Sequence, residues 1–174
     1  MNELLDAALQ YASRGWRVFP IHTVDEGGCC TCHRTCSSPG KHPRTKHGYK
    51  DATVSPPQIE AWWAKWPDAN IGIATGMASG IAVLDVDGPA GMQRLVDLVR
   101  DSGTTLPATP CVVTARGIHI YFALGPGERA VMCTSGDGLD MRGDGGYVLA
   151  PPSRHPSGHI YRWRVGIVES GVSA

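Results

Sequence analysis

Ile81-Ala82-Val83-Leu84-Asp85-Val86-Asp87 is an apolar run that ends in two alternating acids. Side chains of a strand alternate between its faces, so Asp85 and Asp87 point the same way. Neighbouring carboxylates repel each other, and a divalent ion such as Mg²⁺ or Mn²⁺, which takes oxygen ligands, relieves that repulsion. A strand end exposed at the surface is the simpler alternative, because Asp-x-Asp is a short motif.

Working outward, Asn70-Ile71-Gly72-Ile73-Ala74-Thr75 reads as a partner strand, forming a hairpin with residues 81–87 around residues 76–80. Met92, Leu95, Val96 and Val99 recur at helical spacing after the acidic strand. Leu4, Leu5, Ala8, Leu9 and Ala12 predict a first helix, and residues 16–21 a strand that Pro20 confines to an edge or an end. Ser55 and Pro56 open a helix whose Ile59, Trp62, Trp63 and Trp66 form a bulky apolar side. A second hairpin turns at Arg116-Gly117, and short strands follow at 131–134, 139–141, 147–150 and 160–168. This order of helix, strands, helix, strands predicts an α+β fold with antiparallel pairs.

The 174 residues suffice for one domain with a real core, and 22 glycines and 13 prolines favour turns over a helical bundle. No apolar run approaches the roughly 20 residues of a membrane span, and the first residues lack the pattern of a signal peptide. The expectation is a cytoplasmic protein of a bacterial, archaeal or phage-infected host cell. Lys plus Arg and Asp plus Glu number 16 each, which argues against strong non-specific duplex binding. The charge is unevenly placed: Lys41, Arg44, Lys46 and Lys50 fall in a segment without acids, a local patch suited to phosphates.

Asp140, ahead of Arg142 and a Gly-Asp-Gly-Gly turn, is the best third acid, with Asp144 as the alternative. His119 is either a hydrogen-bonded core residue or a donor to phosphate oxygens. Arg116 and Arg142 are candidate phosphate partners. Ser153 and His155, after Pro151-Pro152, could contact phosphate or sugar, or merely occupy a polar turn. Divalent ions on clustered acids, with basic groups beside them, point to nucleotidyl transfer from a nucleoside triphosphate.

Cys29, Cys30, Cys32 and Cys36 crowd together near His33 and His42. Zinc commonly takes four such ligands. Cys30, Cys32, Cys36 and His42 make one plausible set, and the C-x₂-C spacing of Cys29 with Cys32 makes another. Either would fasten the loop at about 25–50, which has little apolar content of its own.

The ordered segments Pro39-Gly40-Lys41-His42-Pro43-Arg44, Asn70-Ile71-Gly72-Ile73-Ala74-Thr75-Gly76, Leu84-Asp85-Val86-Asp87, Thr114-Ala115-Arg116-Gly117-Ile118-His119 and Asp140-Met141-Arg142-Gly143-Asp144-Gly145-Gly146 carry a resemblance. The chain resembles the bifunctional primase-polymerase (Prim-Pol) domain of phage and plasmid replication proteins, in the archaeo-eukaryotic primase superfamily. The resemblance covers nearly the whole chain, residues 1–174, as a single domain. It implies an N-terminal αβ unit plus an RRM-like catalytic unit, with a small zinc knuckle. It places metal-binding acids at Asp85, Asp87 and Asp140 and a phosphate-binding histidine at His119. It sets Arg142 beside the nucleotide and zinc on Cys30, Cys32, Cys36 and His42. It implies a DNA primase that also extends primers, working on single-stranded DNA with NTP or dNTP substrates beside a helicase domain or protein. A binding module with an inactive nucleotide site and a metal-dependent nuclease are the competing readings.

Overall fold

Asn2 opens the first helix by accepting hydrogen bonds from the Leu4 and Leu5 amides, two donors that a helix start otherwise leaves unpaired. The computed structural model describes residues 2–165. Along the chain come α1 (Glu3–Ser13), β1 (Val18–Ile21), a 3-10 turn (Gly48–Asp51), α2 (Pro56–Lys65), β2 (Asn70–Ala74), β3 (Ile81–Asp87) and α3 (Gly88–Ser102). Then follow β4 (Cys111–Val113), β5 (Gly117–Ala123), β6 (Cys133–Thr134), β7 (Leu139–Arg142), β8 (Tyr147–Ala150) and β9 (Arg162–Val165). The fold is α+β, with antiparallel strand pairs throughout the described residues. No helix among those residues is long and apolar enough to cross a membrane.

The strands form two sheets, ordered β1-β2-β8 and β6-β7-β3-β5-β4-β9. The alternation of β3 explains how they stack. Its Ile81 and Val83 join the main core with Phe19, Ile21, Ile71, Ile73 and Val148 of the smaller sheet. Val86 faces the other way, into a smaller cluster with Leu95 of α3, Ile120 and Leu139. Thus α3 covers one face of the larger sheet, and the smaller sheet with α1 and α2 covers the other. Burying a side chain such as Phe19 or Ile71 in this main core, which also takes in Tyr11, Ile59 and Trp63 of the two helices, contributes roughly 1.5–3 kcal/mol.

Two expectations change. Residues 70–75 and 81–87 do not pair as a hairpin. Strand β2 lies between β1 and β8, while β3 lies in the other sheet, and Gly76 with Ile81 forms the single bridge between them. Every residue of β2 is buried, which suits a central strand. Gly76 turns the chain with φ +75°, and a side chain there would run into Asp144. The strand expected at 131–134 shrinks to Cys133–Thr134, and the one expected at 160–168 is seen at Arg162–Val165, residues 166–168 lying outside the described residues. Pro20 sits, as anticipated, in an edge strand.

Candidate active site between the two sheets

Register builds the site. On β3, Asp85 lies directly opposite His119 of β5 on one side and Asp140 of β7 on the other. The three side chains therefore form one row across three strands, on the face that looks toward the smaller sheet. Asp87 lies two residues along that face, opposite Gly117, and Arg142 lies opposite Val83. A side chain at Gly117 would meet the Val86 carbonyl 1.8 Å away, so glycine is what lets β5 close on β3 here.

The row is tightly paired. Arg142 Nη2 lies 3.1 Å from Asp85 Oδ2 and 2.9 Å from Asp140 Oδ2. His119 Nε2 lies 3.4 Å from Asp85 Oδ1. Arg116 pairs with Asp87. Burial pushes the Asp85 carboxyl up, but hydrogen bonds and charge from His119 and Arg142 outweigh it and hold the group below the usual carboxylate range. His119 is buried, rests against the Tyr161 ring, and its Nδ1 has no hydrogen-bond partner among the described residues.

All of these groups except Asp140, which lies behind Arg142, line a cleft of about 330 Å³. Asp85, Asp87 and His119 form one wall, with Arg116 and Arg142 at its margins, and Lys41 and His155 join them from the loops of the smaller sheet. Lys41 is held below its usual pKa by burial first and then by the Arg116 charge. His155 is lowered by burial and then by Lys41 and Arg116. Lys41, Arg116 and Arg142 bring positive charge to the cleft, which suits a polyanion, and His155 offers it a largely neutral ring. Burial pushes Tyr161 up to about 12, so its hydroxyl stays protonated as a donor.

The acids offer the hard oxygen donors that Mg²⁺ and Mn²⁺ take. One positively charged nitrogen already bridges Asp85 and Asp140, so the space between them is electrostatically a cation position. Asp87, drawn toward Arg116, stands apart from that bridge.

Several sequence candidates lie elsewhere. Ser153 is fully buried, and its hydroxyl accepts from the Ile71 amide at 2.8 Å. It anchors the Pro151-Pro152 loop to β2 and is not among the residues lining the cleft. Arg44, with its side chain only 8% exposed, pairs with Asp68 and donates to Thr31 and the Ile21 carbonyl. Its guanidinium is thus paired within the scaffold, in contrast to the exposed Lys46 and Lys50. Asp144 accepts from the Met77 amide and pairs with Arg129, so it secures the Gly76 turn instead of supplying a third acid. Lys46 and Lys50 are exposed outside the cleft. Lys41, expected with them, belongs to the cleft. Tyr147 and Tyr161 also line it. Nothing in their sequence surroundings marks them, because each reaches the cleft through a loop or sheet partner distant in the chain.

Away from the cleft, Cys30, Cys32, Cys36 and His42 bring their ligand atoms within 4.8 Å of one another, the convergent metal-ligand group among the described residues. Cys30 Sγ lies 3.3 Å from His42 Nε2 and accepts from the Gly40 amide at 3.4 Å. Cys29 is exposed outside the group. Three thiols and one imidazole at this spacing form a zinc-type donor set.

A family model described as bifunctional DNA primase/polymerase, N-terminal, matches residues 8–170. A comparison with curated proteins finds no match.

Proposed function

Because the chain belongs to the bifunctional DNA primase/polymerase family, a family of metal-dependent nucleotidyltransferases that act on single-stranded DNA with nucleoside triphosphates, we propose that the cleft between the two sheets is where this transfer occurs. The observation that carries the assignment is that Asp85, Asp87 and His119 line one cleft with Lys41, Arg116 and Arg142, while Asp140 lies beside Asp85 in register and shares Arg142 with it.

Asp85, Asp87 and Asp140 would hold Mg²⁺ or Mn²⁺. When bound, such an ion polarises the attacked phosphorus, favours the deprotonated 3′-hydroxyl and stabilises the departing pyrophosphate. With an ion on the acids, Arg142 and Arg116, which now pair with those carboxylates, would be free to pair with the triphosphate. His119 donates to a phosphate oxygen, and Lys41 and His155 close on the triphosphate from the opposite wall. The 3′-hydroxyl of an initiating nucleotide or primer attacks the α-phosphate.

Strands β7-β3-β5-β4 with α3 read as the RRM-like catalytic unit, and α1, α2 and the smaller sheet as the N-terminal αβ unit of one domain over residues 1–174. The strand order supports this, although residues 124–132 carry no second helix. Zinc on Cys30, Cys32, Cys36 and His42 would fasten the loop that carries Lys41. A helicase domain or protein is the expected partner, and the cytoplasm the expected setting.

The test is nucleotide incorporation on single-stranded DNA, with and without a primer, by wild type and by Asp85→Ala/Asp87→Ala. Losing an interaction worth several kcal/mol in the transition state lowers the rate on the order of 10²–10³-fold. Equal rates in the two proteins would remove the chemistry from this cleft. Wild-type binding of triphosphate and DNA without any incorporation would favour a module with an inactive site.

A further inference from the structure

A second groove, of about 700 Å³, lies between the 41–50 segment and α2. One of its walls is a face of that helix, where Gln58, Trp62 and Lys65 recur at helical spacing. Lys46 and the paired Arg44 line the groove from the 41–50 segment. Lys46, Gln58 and Lys65 are exposed, while Trp62 and Trp66 are half-buried, with part of each ring packed on the main core. The two tryptophans differ. Lys65 Nζ lies 4.7 Å from the Trp66 ring centre and Arg44 Cζ lies 5.8 Å from it, so Trp66 gathers positive charge. Trp62, among the described residues, stacks on no other ring and lies under no cation.

The groove is linked to the catalytic cleft by a short piece of chain. Lys41 lines the cleft and Lys46 lines the groove. Five residues span at most about 16–18 Å, a reach of a few nucleotides. The Asp51 carboxylate in the groove is taken by the His47 amide and ring, which leaves the lysines as its free charges.

We infer that this groove binds single-stranded nucleic acid: the template strand just outside the catalytic cleft, with phosphates at Lys46 and Lys65 and a base against Trp62. The inference rests on the reading of the cleft as a polymerising site. Two lysines and an open aromatic ring lining one groove match the pattern of sequence-tolerant single-strand binding, in which the backbone is tracked by charge and bases stack. The zero net charge agrees with a confined contact and not with a duplex-wide footprint.

The experiment measures anisotropy of a labelled oligothymidylate across a salt series, with wild type, Lys46→Ala/Lys65→Ala, Trp62→Ala and Trp62→Phe. Each lost single-strand phosphate contact reduces the slope of log affinity against log salt by about 0.7, so the double lysine variant should lose about 1.4. Trp62→Ala should weaken binding about 5–150-fold, with Trp62→Phe recovering most of it. Affinity for a labelled triphosphate without DNA should stay at the wild-type value in all variants. Wild-type oligonucleotide affinity and slope in both the lysine and alanine variants would overturn the groove and leave the cleft untouched. Equal affinity for duplex and single strand would also overturn it. Failure of the wild type to extend any primer would count instead against the reading of the cleft.

Discussion

Asp85 sits where burial and pairing pull in opposite directions. Burial raises its pKa, while His119 and Arg142 lower it further, so the folded value lies below the unfolded one. For a depressed carboxyl the stabilisation is present above the unfolded pKa, about 3.9, and is lost as pH falls through the folded value. Urea unfolding of wild type should therefore show stability falling as pH drops below about 4. Asp85→Asn, which cannot titrate, should fall less steeply over that window. Parallel pH profiles would mean that the ion pair with Arg142 does not operate in solution. His119 was legible as a candidate from its place in an apolar strand. What the sequence left open was its neighbour, because cross-strand register depends on where two distant strands meet.

Among the elements, β2 does more than fill a sheet. Asn70 receives the Arg154 amide at 2.8 Å and donates to the Arg154 carbonyl at 2.8 Å, while Ile71 donates to Ser153. The loop after β8 is thereby held against the smaller sheet, and His155 is carried to the cleft. Ser153→Ala leaves the buried Ile71 amide without its acceptor, a loss of about 1–3 kcal/mol. Chemical denaturation should register that loss, while the KM for nucleotide at a temperature where the variant is folded should stay near the wild-type value. A raised KM with unchanged stability would return Ser153 to the nucleotide site. The Pro-Pro-Ser motif was visible as a stiff loop, but whether its hydroxyl faced ligand or backbone depended on which strand packs beneath it.

At the scale of the whole molecule, the loop around Cys30 is joined to β1 and to the cleft. The Arg44 amide bonds the Pro20 carbonyl at 2.9 Å, the His22 amide bonds the His42 carbonyl at 2.9 Å, and Tyr147 donates to the Lys41 carbonyl at 3.1 Å. Zinc in the Cys₃His set would thus hold Lys41 indirectly. A zinc-selective chelator, applied with Mg²⁺ in excess, should lower Tm. Ligand at a thousand times its Kd contributes about 4 kcal/mol, equivalent to on the order of 10 °C for a chain of this size. Differential scanning fluorimetry with metal analysis checks this. An unchanged Tm after complete zinc loss, or a purified protein that never contained zinc, would count against the assignment.

The α+β class, the acids on one face of β3, the helix after them, the cysteine cluster and the edge position of Pro20 were all determined by local pattern, since period, composition and spacing act over a few residues. The partition into two sheets, the Asp140–Asp85–His119 row, the scaffold bonds of Ser153, Arg44 and Asp144 and the arrival of Lys41 and Tyr161 in the cleft were decided by tertiary structure. Each depends on which strands become neighbours. A strand's alternation says which side chains share a face, but only packing against the rest of the chain determines what that face meets.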